Sequence, residues 1–120
     1  MEKLYEMADE YTNFSCKPKN PKYKIGSVID EEKSVRWNRE EIERLNNIHM
    51  EEAEELNRKK TLLRINFENA VIDYIISETK VSKDKAEKIY NYIYTEYHSY
   101  SIRECLYHLD DLLELFKSHI

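Results

Sequence analysis

Apolar residues recur at spacings of three and four over most of this chain, and at spacings of two over only one short stretch. The strongest run is C-terminal, where Ile102, Cys105, Leu106, Leu109, Leu112, Leu113 and Phe116 fall on one helical face. Ser101, with Glu104 three positions on, forms a capping box that opens this helix. Before it, Ala86, Ile89, Tyr90, Ile93 and Tyr97 make a second stripe. Ser82 is its cap, and Asp84 lies in the first turn, where an acid favours the helix dipole. The third stripe is longer: Ile42, Leu45, His49, Ala53, Leu56, Lys60, Leu63, Phe67, Val71 and Tyr74 keep helical phase without a break. That predicts one helix over 39–78, about 60 Å long at about 1.5 Å per residue. Asn38 with Glu41 supplies its capping box and Trp37 with Ile42 a hydrophobic staple, so the predicted first residue is Arg39.

The long stripe has two qualities. From 62 to 76 it is rich, with Leu63, Phe67, Ala70, Val71, Tyr74 and Ile75; from 46 to 61 only Ala53 and Leu56 are clearly apolar. The rich part reads as the first member of a three-helix bundle over 62–120, and 38–61 as a projecting part of the same helix. Near the N-terminus, Leu4, Ala8 and Tyr11 predict a short helix over 2–12. An extended arm follows, carrying Lys17, Lys19, Lys22 and Lys24 around Pro18 and Pro21. Alternation at Tyr23, Ile25 and Ile29, and again at Val35 and Trp37, predicts a small β-hairpin that must lie on something else to be stable. The expected fold class is all-α: a long helix feeding a C-terminal three-helix bundle, with a short N-terminal helix and this hairpin. The segments are 1–37, 38–61 and 62–120.

Composition sharpens that picture. Gly26 is the only glycine, and no glycine or proline follows it, which favours helix-to-helix links and excludes a glycine-rich phosphate loop. Leu, Ile, Val and Phe make up 29 of 120 residues while 36% are charged, so the core is thin and the solvated surface large. Two cysteines in unlike surroundings do not make a disulfide framework. No run approaches the ~20 apolar residues of a membrane span, and acids stand where a signal peptide would be apolar. The expectation is a cytoplasmic protein with no membrane partner.

Candidate chemistry is sparse. Residues 90–100 hold five tyrosines, but Tyr90 and Tyr97 fall inside the stripe centred on Ile93, Tyr94 on its flank and Tyr100 in the following turn; only Tyr92 points clearly outward. These rings are core and core edge, with Tyr92 and Tyr94 as candidates for a binding edge. Cys105 and His108, with His98 nearby, have the residue types of a zinc site, yet Cys105 sits in the apolar stripe and four tightly spaced ligands are lacking. Asp110 and Asp111 point about 100° apart on a helix and do not converge on one reacting centre. No nucleophile–base spacing is present, so no catalytic residue, cofactor or metal is expected.

Charge gives two alternatives. Glu51, Glu52 and Glu55 precede Arg58 and Lys59 along one helix, so two copies packed antiparallel near residue 57 would set acids against bases. A homodimer is the expectation; docking of this stretch on another protein as a helix in a groove, or its coverage by the N-terminal helix and hairpin folding back, are the alternatives. For nucleic acid, the basic features are Lys17, Lys19, Lys22 and Lys24 with Lys60 and Arg64, against a net charge of −5 that makes such binding weak and salt-sensitive.

The stretches KIGSVIDEEKSVRWNREEIERLN and KAEKIYNYIYTEYHSYSIRECLYHLDDLLEL resemble small, mostly uncharacterised proteins of low-GC Gram-positive phages and prophages. The resemblance is one of pattern, without a catalytic motif, and carries no functional residue across. It implies an accessory protein that binds and regulates or inhibits a host or defence protein. That non-catalytic role is the expected function, with nucleic-acid binding as the alternative.

Overall fold

A computed structural model describes residues 1–97 and 100–118, apart from the side chains of Phe116 and Ser118. His98, and the place of Phe116 in the last stripe, therefore lie outside the described residues. Four helices are present: α1 (Glu2–Asn13), α2 (Val35–Thr79), α3 (Lys83–Glu96) and α4 (Ile102–Ser118). The chain divides into two compact units, Met1–Phe14 with Leu62–Ile120, and Ser15–Thr61. Helix α2 contributes to both.

The first unit is a four-helix bundle, because α1 joins the three helices anticipated over 62–120. Leu4 and Ala8 of α1 meet Phe67, Val71, Ile72 and Ile75 of α2, Ala86, Ile89 and Ile93 of α3, and Cys105, Leu106, Leu109 and Leu113 of α4 in one buried cluster. Each fully buried Leu, Ile or Phe among them contributes about 1.5–3 kcal/mol over its exposed state. Polar ties close the rim. The Tyr74 hydroxyl donates to Asp110 at 2.6 Å, Lys117 pairs with Glu78 at 3.2 Å, and Arg103 of α4 holds Asp9 of α1. The caps of α3 and α4 form as the residue types predict: Ser82 Oγ accepts from the Lys85 amide and Ser101 Oγ from the Glu104 amide. Helix α2 ends without a glycine, so Lys80 takes the left-handed conformation at φ 60° while its amide closes on the Ile76 carbonyl.

The second unit differs from expectation in two places. Helix α2 starts at Val35, four residues early, and its cap is Ser34, whose Oγ accepts from the Trp37 amide at 3.0 Å. Asn38 is therefore no cap but lies inside the helix, and the staple between Trp37 and Ile42 loses its basis. Nor is there a β-hairpin: no strand occurs among the described residues. Turns at Lys24–Ser27 and Asp30–Lys33 break the extension, Gly26 adopts φ 91°, and α2 absorbs Val35 and Trp37. The amides of Ile29 and Asp30, which a hairpin would have paired with a second strand, bond instead to one side chain, that of Asn38.

Candidate docking surface

Asn38 organises the most unusual feature of the Ser15–Thr61 unit. Only 6% of it is exposed, and apart from Ile42 it is the only residue of this unit that is buried. Its Oδ1 accepts from the amides of Ile29 at 2.8 Å and Asp30 at 3.0 Å. Its Nδ2 donates to the carbonyls of Asp30 at 3.0 Å and Ser34 at 2.9 Å. Within the loop, Asp30 Oδ1 accepts from the Glu32 amide, and the Lys33 amide returns to the Asp30 carbonyl. A buried amide side chain thus does the work that a strand ladder would otherwise do.

What this loop and the first turn of α2 display is apolar. Ile25 is 95% exposed, Val35 78% and Val28 63%, with Ile29 and Trp37 each at 36%. Ile25, Val28, Val35 and Ile42 line a cleft of about 450 Å³, whose rim carries Glu31, Lys33 and Arg39. A neighbouring cleft of about 360 Å³ shares Ile25, Arg39 and Ile42 and adds Glu43, Asn46 and Asn47. Ile25 lines both. Exposed apolar side chains on a mobile loop are unremarkable, but on a loop that the Asn38 side chain holds by five hydrogen bonds, the longest to the Lys33 carbonyl at 3.4 Å, they form a defined shape.

The same unit shows what became of the projecting stretch. The arm lies along one face of α2 here, so the segment that covers part of this stretch is the arm and not the N-terminal helix and hairpin of the intramolecular alternative. The Cys16 thiol approaches the Leu56 carbonyl at 4.0 Å, the Asn20 carbonyl meets His49 Nδ1 at 2.6 Å, and the Tyr23 amide and carbonyl both bond to the side chain of Asn46. Glu52 anchors the arm by accepting from the amides of Lys19 and Asn20 and from the Asn20 side chain. The Lys19 amide holds its carboxyl below the ordinary value; desolvation opposes this and the Asn20 side chain adds to it. Glu52 is therefore committed to the arm and not free for a partner.

The remaining candidates are dispersed. Glu51, Glu55, Arg58 and Lys59 are exposed, with Glu55 pairing along the helix to Arg58 at 2.7 Å and Lys59 at 4.0 Å. Exposed pairs of this kind are worth little and leave the charges available. Lys17, Lys19, Lys22 and Lys24 are exposed and form no ion pair among the described residues. Lys60 is half-buried, and Arg64 lies 3.9 Å from Glu68. In the bundle, Tyr92 is half-exposed, whereas Tyr94 turns inward. Its ring stacks on Tyr90 at 4.5 Å, and its hydroxyl is buried with no partner among the described residues. Burial pushes the Tyr94 phenol well above its usual range. Only Tyr92 of that pair offers surface. Cys105 is buried, burial raises its thiol, and it lies 3.4 Å from the Tyr97 carbonyl. Among the described residues no group of three or more His, Cys, Asp and Glu could hold a metal ion, and no helix is long and apolar enough to cross a membrane.

The 25–35 loop escaped sequence reasoning as a site because alternation there signals a strand. The available clue was the density of turn formers, Gly26, Ser27, Asp30 and Ser34, within one apolar stretch. No family model matches the chain, and no curated protein or solved structure matches it significantly.

Proposed function

We propose that this chain is a non-catalytic protein-binding regulator or inhibitor that docks through the face formed by Ile25, Val28, Val35 and the clefts beside them. The observation that carries the reading is the pairing of exposure with a tied backbone: Ile25 stands in solvent between Tyr23, held by Asn46, and Ile29, held by Asn38, while Val35 stands in solvent on the first turn of α2. A preformed apolar face loses little entropy on docking, which is what a protein-recognition surface needs. Asn38 spends its polar atoms on the loop and Asn46 on Tyr23, while Glu31, Lys33, Arg39 and Glu43 stand at the rims of the clefts, an apolar centre with a polar edge of the kind protein interfaces have. The resemblance to phage and prophage accessory proteins points to a host or defence protein as the target.

The test is affinity capture from lysate of a low-GC Gram-positive bacterium, with and without nuclease treatment in parallel, with the full-length chain and its Ile25→Glu variant as baits. One stoichiometric protein held by the first bait and lost with the second is the expected result. Equal capture by both removes this face from the function. The four exposed arm lysines favour a second reading, nucleic-acid binding. Recovery of nucleic acid alone, lost steeply with added salt, would establish it instead.

A further inference from the structure

We infer that, until the target takes it, the face around Ile25 is covered by a second copy of this chain, in a two-fold dimer that dissociates in the micromolar range. The inference rests on the docking reading above and names the first occupant of that face.

Shape supports it first. Ile25 is almost fully exposed and lines two adjoining clefts, so each copy presents an apolar knob and a hole side by side. A two-fold axis beside Ile25 inserts the knob of each copy into the hole of the other, the self-complementarity that an isologous contact requires.

Charge supports it next. The rim holds two acids, Glu31 and Glu43, and two bases, Lys33 and Arg39. A partner of either strong sign is repelled by half of this rim, whereas a rotated copy can place each acid against a base. The chain's net charge of −5 is thus not felt locally where the copies meet.

Area sets the class of contact. The exposed parts of Ile25, Val28, Ile29, Val35 and Trp37 amount to about 500 Å² of largely apolar surface per copy. Two copies then cover about 1,000 Å² before the polar rim is counted, in the size range of weak, transient interfaces. A contact of that size forms reversibly and yields to a better-fitting target.

The experiment is sedimentation equilibrium of the full-length chain from about 1 µM to about 1 mM, a span chosen to bracket a micromolar constant. Emission of Trp37, the only tryptophan, is followed on dilution in parallel. The expected result is a shift from monomer to dimer mass, with Trp37 emission moving over the same range. Ile25→Glu and Val35→Glu should each weaken the dimer at least about tenfold, since each buries an unpaired carboxylate. Both positions are exposed in the single chain, so folding is preserved. Arg58→Glu and Tyr92→Glu should leave the dimer unchanged.

A monomer throughout overturns the inference. So does a dimer that survives Ile25→Glu but is lost with Arg58→Glu, which would place the contact near residue 57 instead. A monomer that still captures a protein through Ile25 overturns the dimer and leaves the docking reading standing. A monomer that captures nothing through Ile25 removes both.

Discussion

Replacing Asn38 by alanine removes the side chain that makes most of the hydrogen bonds between the 25–35 loop and α2. Four hydrogen bonds between 2.8 and 3.0 Å are lost, two accepted from the amides of Ile29 and Asp30 and two donated to the carbonyls of Asp30 and Ser34. At about 1 kcal/mol net apiece the sum is about 4 kcal/mol. Ile29 and Glu31 are exposed, so water reaches the freed backbone, and about 2 kcal/mol is the lower bound after that discount. Hydrogen exchange at the Ile29 and Asp30 amides reads this directly. Protection there should fall by about 30- to 1,000-fold, at one decade per 1.4 kcal/mol. Amides of the bundle, such as that of Leu109, should keep theirs. Asn38→Asp retains an acceptor for both amides but faces the Asp30 and Ser34 carbonyls without a donor, so its loss should be intermediate. A fall of less than about threefold at Ile29 in Asn38→Ala would refute the reasoning, because the loop would then owe its shape to something else.

Three further outcomes follow from single residues. Glu52 anchors the arm as a carboxylate whose pKa is lowered below the ordinary 4.5, so its contribution is complete above 4.5 and disappears as pH falls through the lowered value. Amide shifts of Lys19 and Asn20 should titrate with a midpoint below 4.5 and lose that transition in Glu52→Gln; a midpoint at or above 4.5 would contradict the anchor. Lys80 stands at φ 60°, so Lys80→Gly should raise stability to urea by about 1 kcal/mol, and a loss would show that the lysine makes a compensating contact. Tyr94→Phe deletes a buried hydroxyl that has no partner among the described residues, and should be neutral or stabilising by up to about 1 kcal/mol. A loss of that size in denaturant unfolding would mean the hydroxyl is hydrogen-bonded.

The bundle was legible because its signals are local and periodic. Phe67, Val71 and Ile75, and likewise Cys105, Leu106, Leu109 and Leu113, recur in helical phase, and all are buried. Ser82 and Ser101 cap α3 and α4 through bonds spanning three residues, a range that residue types alone can specify. The apolar face around Ile25 was illegible because the interactions that build it are neither periodic nor local. Asn38 reaches back eight and nine residues to Asp30 and Ile29, and Glu52 reaches 33 residues back to Lys19. A capping box at Asn38 was the locally stronger signal, but Ser34 caps the helix and releases the asparagine for the loop. Apolar alternation at Tyr23, Ile25 and Ile29 then carried a strand's signature in a segment whose backbone is satisfied by side chains. The same mismatch, apolar residues without a ladder or a core, is what marks the loop as a site.

The most direct test of that assignment is hydroxyl-radical footprinting of the full-length chain, free and dilute, then bound to whichever occupant the capture or sedimentation experiment supplies. Ile25, Val28 and Val35 should be heavily oxidised in the free chain and protected in the complex, with Tyr92 and Tyr107 modified equally in both. Unchanged oxidation at Ile25 together with protection of Tyr92 would contradict the account and move the working surface to the bundle.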